Sequence, residues 1–329
     1  MATLRSIAED LDISVSLVSK VLNGRLGTTG ASPETVSQIQ DAARRLNYRK
    51  NFSAESLATG KQRAIGIFMH RNGAPGSAIA EEMIMGAADR AAVAGQRMVL
   101  RFFETPQDFY DACAETHSNA IDGLILAGVM HEDLVQQAAK MRAARLPVVT
   151  VHGRQTNEKV PNVGCDQVRV GEVATEHLIA RGCRRIAHIR VQEPRYQGYV
   201  KALKSAGMAV DPQLVFDCED YLHACGASAT AHWLKEKVDF DGIVAQSDQQ
   251  VAGAIPVLLK AGKRIPEDVK LIGVDNSPYC EFFPIPFSSI SEQVQKRGEM
   301  AVELLLSMID GQAGQSRQVD PLVIQRASS

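Results

Sequence analysis

The chain has 329 residues, enough for two or three folding units, and its 45% hydrophobic and 22% charged residues are ordinary for a soluble globular protein. Aromatics make up 5%, so the core has to be aliphatic. No apolar run approaches the ~20 residues of a membrane helix, and the first ten residues hold no signal-peptide core, so a cytoplasmic protein is expected. The net charge of −2 conceals an asymmetry: residues 1–63 carry nine Lys/Arg against six Asp/Glu, and the remainder 27 against 32. A small basic head that suits a polyanion thus precedes an acidic body.

Thr3 can cap a first helix whose apolar positions Leu4, Ile7, Ala8 and Leu11 follow helical spacing. After a short turn at Asp12-Ile13, Ser14 caps a second helix within residues 13–24. There Val18 and Leu22 lie on one side and Val15, Ser16, Ser19 and Lys20 on the other. Ser32-Pro33-Glu34 opens a third helix, with Val36, Ile39, Ala43 and Leu46 facing inward. Two short helices joined by so tight a turn have the pattern of a helix-turn-helix, completed here by a third helix over residues 1–47. In such a unit the second helix enters the major groove, so Val15, Ser16 and Lys20 are the candidate base readers. Ser14, Ser19 and Asn23 are the candidate phosphate contacts.

From residue 64 the pattern becomes short aliphatic runs alternating with helical periods. Strands are expected at 65–69, 98–102, 123–127, 148–151, 186–189, 242–245 and 271–274. Helices such as 79–94 and 168–181 lie between them, and Gly95, Gly182, Gly207 and Gly262 close helices. This βαβ series predicts an α/β body with parallel sheets, and its length favours two similar lobes with a cleft between them. Ligands of such sheets bind beyond the carboxyl ends of the strands. Those ends carry His70, Arg71 and Asn72, then His152 and Arg154, then Asp248, then Asp275-Asn276, while Arg195 opens a helix. Arginine and carboxylates converging on a cleft suit a polyol, since each can hold two adjacent hydroxyls. The six cysteines, at 113, 165, 183, 218, 225 and 280, form no C-x-x-C pair and read as reduced, buried thiols without a zinc site. No phosphate-loop, dinucleotide, zincin or nucleophile-elbow motif occurs, so no enzyme, cofactor or metal is expected.

Thr3-Leu4-Arg5-Ser6-Ile7-Ala8, the stretch 13–24, Ser32-Pro33-Glu34-Thr35 and Leu46-Asn47-Tyr48 together resemble the lactose/galactose repressor (LacI/GalR) family of bacterial regulators, and the resemblance extends to the C-terminus. It implies a homodimer on operator DNA and a body like a periplasmic sugar-binding protein. It also implies a hinge over 48–62 between the head and a 63–329 effector and dimerisation domain. By the same resemblance Thr3 and Tyr48 join the DNA-contacting set, together with Asn51, Ala54 and Leu57 of the hinge. Leu57 is then the minor-groove wedge. Lys50 and Glu55 depart from the family pattern there. In the cleft, Arg195 and Asp275 match effector-holding positions and Tyr221 an aromatic that stacks on a sugar. Ser77-Ala78-Ile79-Ala80 stands where Asn-Pro-Phe-Phe is usual, and His152 replaces an acid, so an acidic or modified saccharide is one expectation. The function implied is a sequence-specific regulator, a repressor, controlled by a small molecule, with a sugar derivative expected. The alternatives are a purine or other metabolite, and a metabolic enzyme carrying an appended DNA-binding head.

Overall fold

The computed structural model describes residues 2–23, 30–48, 60–71, 78–116, 121–128, 132–143, 146–152 and 159–329. The hinge residues Asn51, Ala54 and Leu57, the loop residues Asn72 and Ser77, and Arg154 lie outside them. The chain divides into two compact units, Met1–Gln62 and Arg63–Ser329. No described helix is long and apolar enough to cross a membrane.

In the first unit, α1 (Leu4–Leu11), α2 (Val15–Leu22) and α3 (Pro33–Arg45) start where capping side chains stand. Thr3 accepts from the Ser6 N–H, and the Ser6 hydroxyl returns the bond by accepting from the Thr3 N–H at 2.7 Å. Ser14 accepts from Leu17 N–H at 3.2 Å, and Ser32 from Thr35 N–H at 3.1 Å. Each such cap is worth ~1 kcal/mol. Asp12, at φ 50°, ends α1 in the left-handed region and turns the chain into α2. The fully enclosed core is Ile7, Ala8, Val18, Val21, Ile39 and Ala42. It is centred one residue before the expected Leu22 and Ala43, which line its edge, because Val21 and Ala42 face both neighbouring helices at once.

In the second unit β1 (Ala64–His70), β2 (Arg97–Phe103), β3 (Gly123–Ala127) and β4 (Val148–Val151) form a parallel sheet in the order β2-β1-β3-β4. Every residue of β1 is buried, as a strand covered on both faces requires. Helices α4 (Ile79–Val93), α5 (Pro106–Thr116) and α6 (Glu132–Ala143) alternate with these strands. The chain then passes through β5 (Val163–Cys165) into a second lobe. This holds α7 (Gln167–Ala180), β6 (Ile186–Arg190), α8 (Glu193–Ser205), β7 (Val215–Asp217), α9 (His223–Lys235), β8 (Gly242–Ala245), α10 (Asp248–Lys260), β9 (Lys270–Val274), α11 (Tyr279–Phe282) and β10 (Ser288–Ser291). After β10 it returns to the first lobe as α12 (Val294–Ile309), packed among the side chains of α4, β3 and β4. It closes through β11 (Arg317–Val319), paired with β5, and β12 (Leu322–Ile324), antiparallel to β10. The second sheet reads β12-β10-β9-β8-β6-β7. A two-lobed body with parallel sheets is therefore what the chain builds, crossing between lobes near residues 165, 292 and 320.

Three helix pairs approach through glycines. A Cβ on Gly171 of α7 would lie 1.9 Å from the Arg195 carbonyl oxygen, and one on Gly198 of α8 would lie 2.0 Å from that of Val168. Gly226 and Gly253 do the same for α9 and α10, and Gly86 and Gly298 for α4 and α12. These contacts bring backbones together at the roots of the cleft walls.

Two expectations are corrected here. Cys218 and Cys225 are joined by a disulfide, their Cα atoms 6.2 Å apart across the loop from β7 to α9, so not all six cysteines are the reduced thiols that their spacing suggests. The loop folds back on itself, bringing together residues whose spacing of seven carries no motif. Cys113, Cys165, Cys183 and Cys280 are free and buried. The strands β5, β7, β10, β11 and β12 are additional to those expected. Three or four residues are too few for a periodicity to register, and Ser288-Ser289-Ile290-Ser291 is mostly polar.

Candidate functional site

On the head, α2 buries Val18 and Val21 and leaves Val15 42% exposed, with Ser16 exposed beside it in the first turn. Ser14 is engaged as the cap, Ser19 accepts from the Asn23 side-chain amide at 3.2 Å, and Lys20 is half-buried on the same helix. Thr3 is occupied as the α1 cap. Tyr48 packs against the core and, with Leu22, Asn23, Ala43 and Arg44, lines a small cavity of about 260 Å³. The face thus presents one apolar and one hydroxyl side chain at the helix start, where a groove-inserted helix meets base edges.

In the body, the second-lobe strand ends gather a charged cluster. Arg195, in the first turn of α8 and 6% exposed, donates from Nε to Gln167 Oε1 at 2.9 Å and from Nη2 to Glu292 Oε2 at 3.0 Å. Its Nη1 donates to the Gln246 carbonyl. Burial alone would raise the Glu292 carboxyl. The Arg195 and Arg297 guanidiniums, the Gln167 amide and His152 outweigh that and hold it below the usual glutamate value. His152 is placed at the end of β4 by Asn162, which accepts from its N–H at 3.0 Å and donates to its carbonyl at 3.2 Å.

Asp275 follows β9 at φ 112°, and Asn276 follows at φ 54°. Two successive non-glycine residues in this region cost on the order of 1–3 kcal/mol each and cluster at functional sites. They are fixed by Asp275 N–H donating to Ile290 O and Asn276 N–H to Ser289 Oγ, both at 2.9 Å. No hydrogen bond to the Asp275 carboxyl occurs among the described residues. Burial, then Asp248, with Glu292 and Glu82 adding and Arg195 opposing, keeps that carboxyl well above its ordinary pKa. Tyr221 lies half-buried within the fields of Arg195, Asp275 and Glu292, its hydroxyl raised first by burial. The structure therefore brings Arg195, Tyr221, Asp275 and His152 into one electrostatic neighbourhood. It adds Glu292, Gln167, Gln246 and Glu82, which sequence reasoning did not select.

Asp248 leaves that set. It is 0% exposed, its Oδ1 accepts from Ser289 Oγ, and its Oδ2 accepts from Ser277 N–H at 2.7 Å and Cys280 Sγ at 3.1 Å. Ser247, not Asp248, caps α10. A carboxylate with both oxygens hydrogen-bonded below the surface braces the strand ends rather than contacting a ligand. Burial lifts its pKa to about 6.

Beneath the cleft His188 is 0% exposed, stacked on Tyr199 at 4.6 Å between ring centroids. Gln246 Oε1 accepts two backbone N–H groups, so its amide nitrogen faces His188 Nε2 at 3.0 Å as donor, and the ring must be neutral. Burial, then Arg190, pull the imidazole down to about 3. Because this pKa is depressed from 6.5, His188 removes stability as pH falls below 6.5, by about 1.4 kcal/mol per unit. Asp248, raised from 3.8 to about 6, returns stability as pH falls from about 6 to about 4. His188→Gln is therefore expected to gain stability relative to the parent as pH falls from 6.5 to 5, as read by urea midpoints.

Residues 175–329 match the model of a periplasmic binding protein-like domain. Over 323 residues the chain is 29% identical to the HTH-type transcriptional regulator CelR of Thermobifida fusca, covering 94% of this chain and 92% of that one. A solved CelR–cellobiose complex is 25% identical and superposes with a TM-score of 0.73 over 100% of both chains. The Lac repressor dimer bound to operator and an anti-inducer shares the fold at 21% identity, with a TM-score of 0.77 over 99% of this chain and 98% of that one. With a helix-turn-helix head, a two-lobed body and whole-length likeness to these proteins, the chain is similar from end to end to bacterial transcriptional regulators of the LacI/GalR type.

Proposed function

We propose that this chain is an operator-binding transcriptional repressor of the cytoplasm whose DNA affinity is set by a sugar or sugar derivative bound between the lobes of its body. The observation that carries the reading is the pairing of two features. One is the α2 face with exposed Val15 and Ser16; the other is a cleft cluster of Arg195, Tyr221, Asp275 and His152 on strand ends. A ligand alters DNA affinity only by favouring one lobe arrangement over another. The chain crosses between lobes beside Cys165 and Glu292, so a ligand touching this cluster acts where that arrangement is decided. The protein works as a homodimer, since one head reads only a half-site. Exposed Val93 and Phe282, each at 82%, and Met85 at 49% are apolar surface for a second copy to cover. The reading assigns no catalysis to the cleft.

Lys20→Ala is the test of the head. Specific operator affinity is expected to fall by roughly 1–3 kcal/mol while affinity for random duplex changes little, because a base contact carries sequence information and a phosphate contact does not. Fluorescence anisotropy with both duplexes measures this. Equal loss on the two would remove Lys20 from base reading.

A further inference from the structure

One charge beside the cleft cluster has an ion-pair partner in the protein but no hydrogen bond to it. Arg297 stands in α12, three residues after Val294 and four before Ala301, on the stripe that packs into the first lobe, and is 7% exposed. Its Nε is sealed from solvent without an acceptor, and among the described residues its guanidinium makes no hydrogen bond. Glu292 lies 4.0 Å from Nη1, beyond hydrogen-bond reach. That carboxylate is already engaged, Oε1 by Gln167 and Oε2 by Arg195. Two buried guanidiniums therefore share one carboxylate, and Arg195 takes it.

A guanidinium does not discharge at neutral pH, so burial without hydrogen-bond partners is costly and persists where something else completes the group. Its planar donors match a carboxylate or a phosphate. His152, at the end of β4 in the opposite lobe, acts on the same Glu292 through its field. We propose that Arg297 is an oxyanion-binding residue of the effector cleft, and that the effector is an anionic sugar derivative bearing a carboxylate or phosphate. This rests on the cleft being the effector site and specifies the class of ligand it takes.

The test is thermal unfolding of the full chain and of Arg297→Gln and Arg297→Lys at constant ionic strength, with glucose, glucuronate, glucose 6-phosphate and inorganic phosphate as probes. Support is a saturable rise in the parent's midpoint with at least one oxyanion probe, weakened about tenfold or more in Arg297→Gln and less in Arg297→Lys, with glucose giving no Arg297-dependent rise. Glucuronate alone would identify the carboxylate source; glucose 6-phosphate or phosphate would identify the phosphate source. Without ligand, Arg297→Gln is expected to melt close to the parent, because the buried charge it removes makes no hydrogen bond and only a 4.0 Å ion pair; if it fails to fold, Arg297→Lys carries the comparison. No oxyanion effect beyond the salt control, or an effect unchanged in Arg297→Gln, overturns the proposal. Operator binding, measured separately, fails only if the regulatory reading fails.

Discussion

Arg195→Ala is expected to abolish the response of operator binding to effector and to destabilise the body by about 3–5 kcal/mol, the cost of breaking a buried ion pair from one side. Two separate jobs make the effect large. Arg195 bonds Glu292, Gln167 and the Gln246 carbonyl at once, so its removal leaves an ionised Glu292 buried, with Arg297 4.0 Å away as a poor substitute. Its field also reaches Tyr221 and Asp275 together. Ligand-free operator binding should survive, because the head has its own core of Ile7, Ala8, Val18, Val21, Ile39 and Ala42. The double change Arg195→Ala with Glu292→Ala should recover much of the stability and none of the response, which separates structural from ligand-binding roles. Urea unfolding reads the first and effector titration of an operator complex the second. A retained response would place the effector elsewhere.

Gly171→Val is expected to cost the second lobe on the order of 4–5 kcal/mol or to prevent its folding, at the severe end for a single substitution. The added Cβ would lie 1.9 Å from the Arg195 carbonyl oxygen, and the obstacle is backbone, which cannot rotate aside as a side chain can. Gly198, opposite it, is equally close to Val168, so α7 and α8 must part as whole helices. Because α8 begins with Arg195, any partly folded variant should also lose effector response. Soluble yield and urea midpoint check the first effect. Unchanged stability would mean that the helices stand further apart than described.

Much of the architecture could be read without tertiary information, and for local reasons. The strands over 123–127, 148–151 and 242–245 stood out because a strand covered on both faces is a short continuous aliphatic run. Thr3, Ser14 and Ser32 cap as expected because a cap depends only on its own next three residues. The pairing of β11 with β5, Arg317 opposite Val163, joins segments about 150 residues apart and leaves no local pattern. Glu292 follows a mostly polar strand and reads as loop, although it is the partner of Arg195. Arg297 did leave a trace, being a basic residue on the apolar stripe of α12 between Val294 and Ala301. Asp248 misled because an aspartate after a strand looks the same whether it faces a cleft or, as here, supports Ser277 and Ser289 from below.

Residue order alone was sufficient for the helix-turn-helix head, the alternation of strand and helix, and the presence of polar residues at strand ends. Backbone periodicity and short-range hydrogen bonding set these within a few positions. Which of the polar residues meet was decided by the chain's three crossings between lobes. They place Glu292 between Arg195 and Arg297, bring His152 into its field from the other lobe, and bury Asp248 beneath the strand ends. A side chain's partner, its burial and so its charge depend on what the fold brings from far away, and no local pattern encodes that.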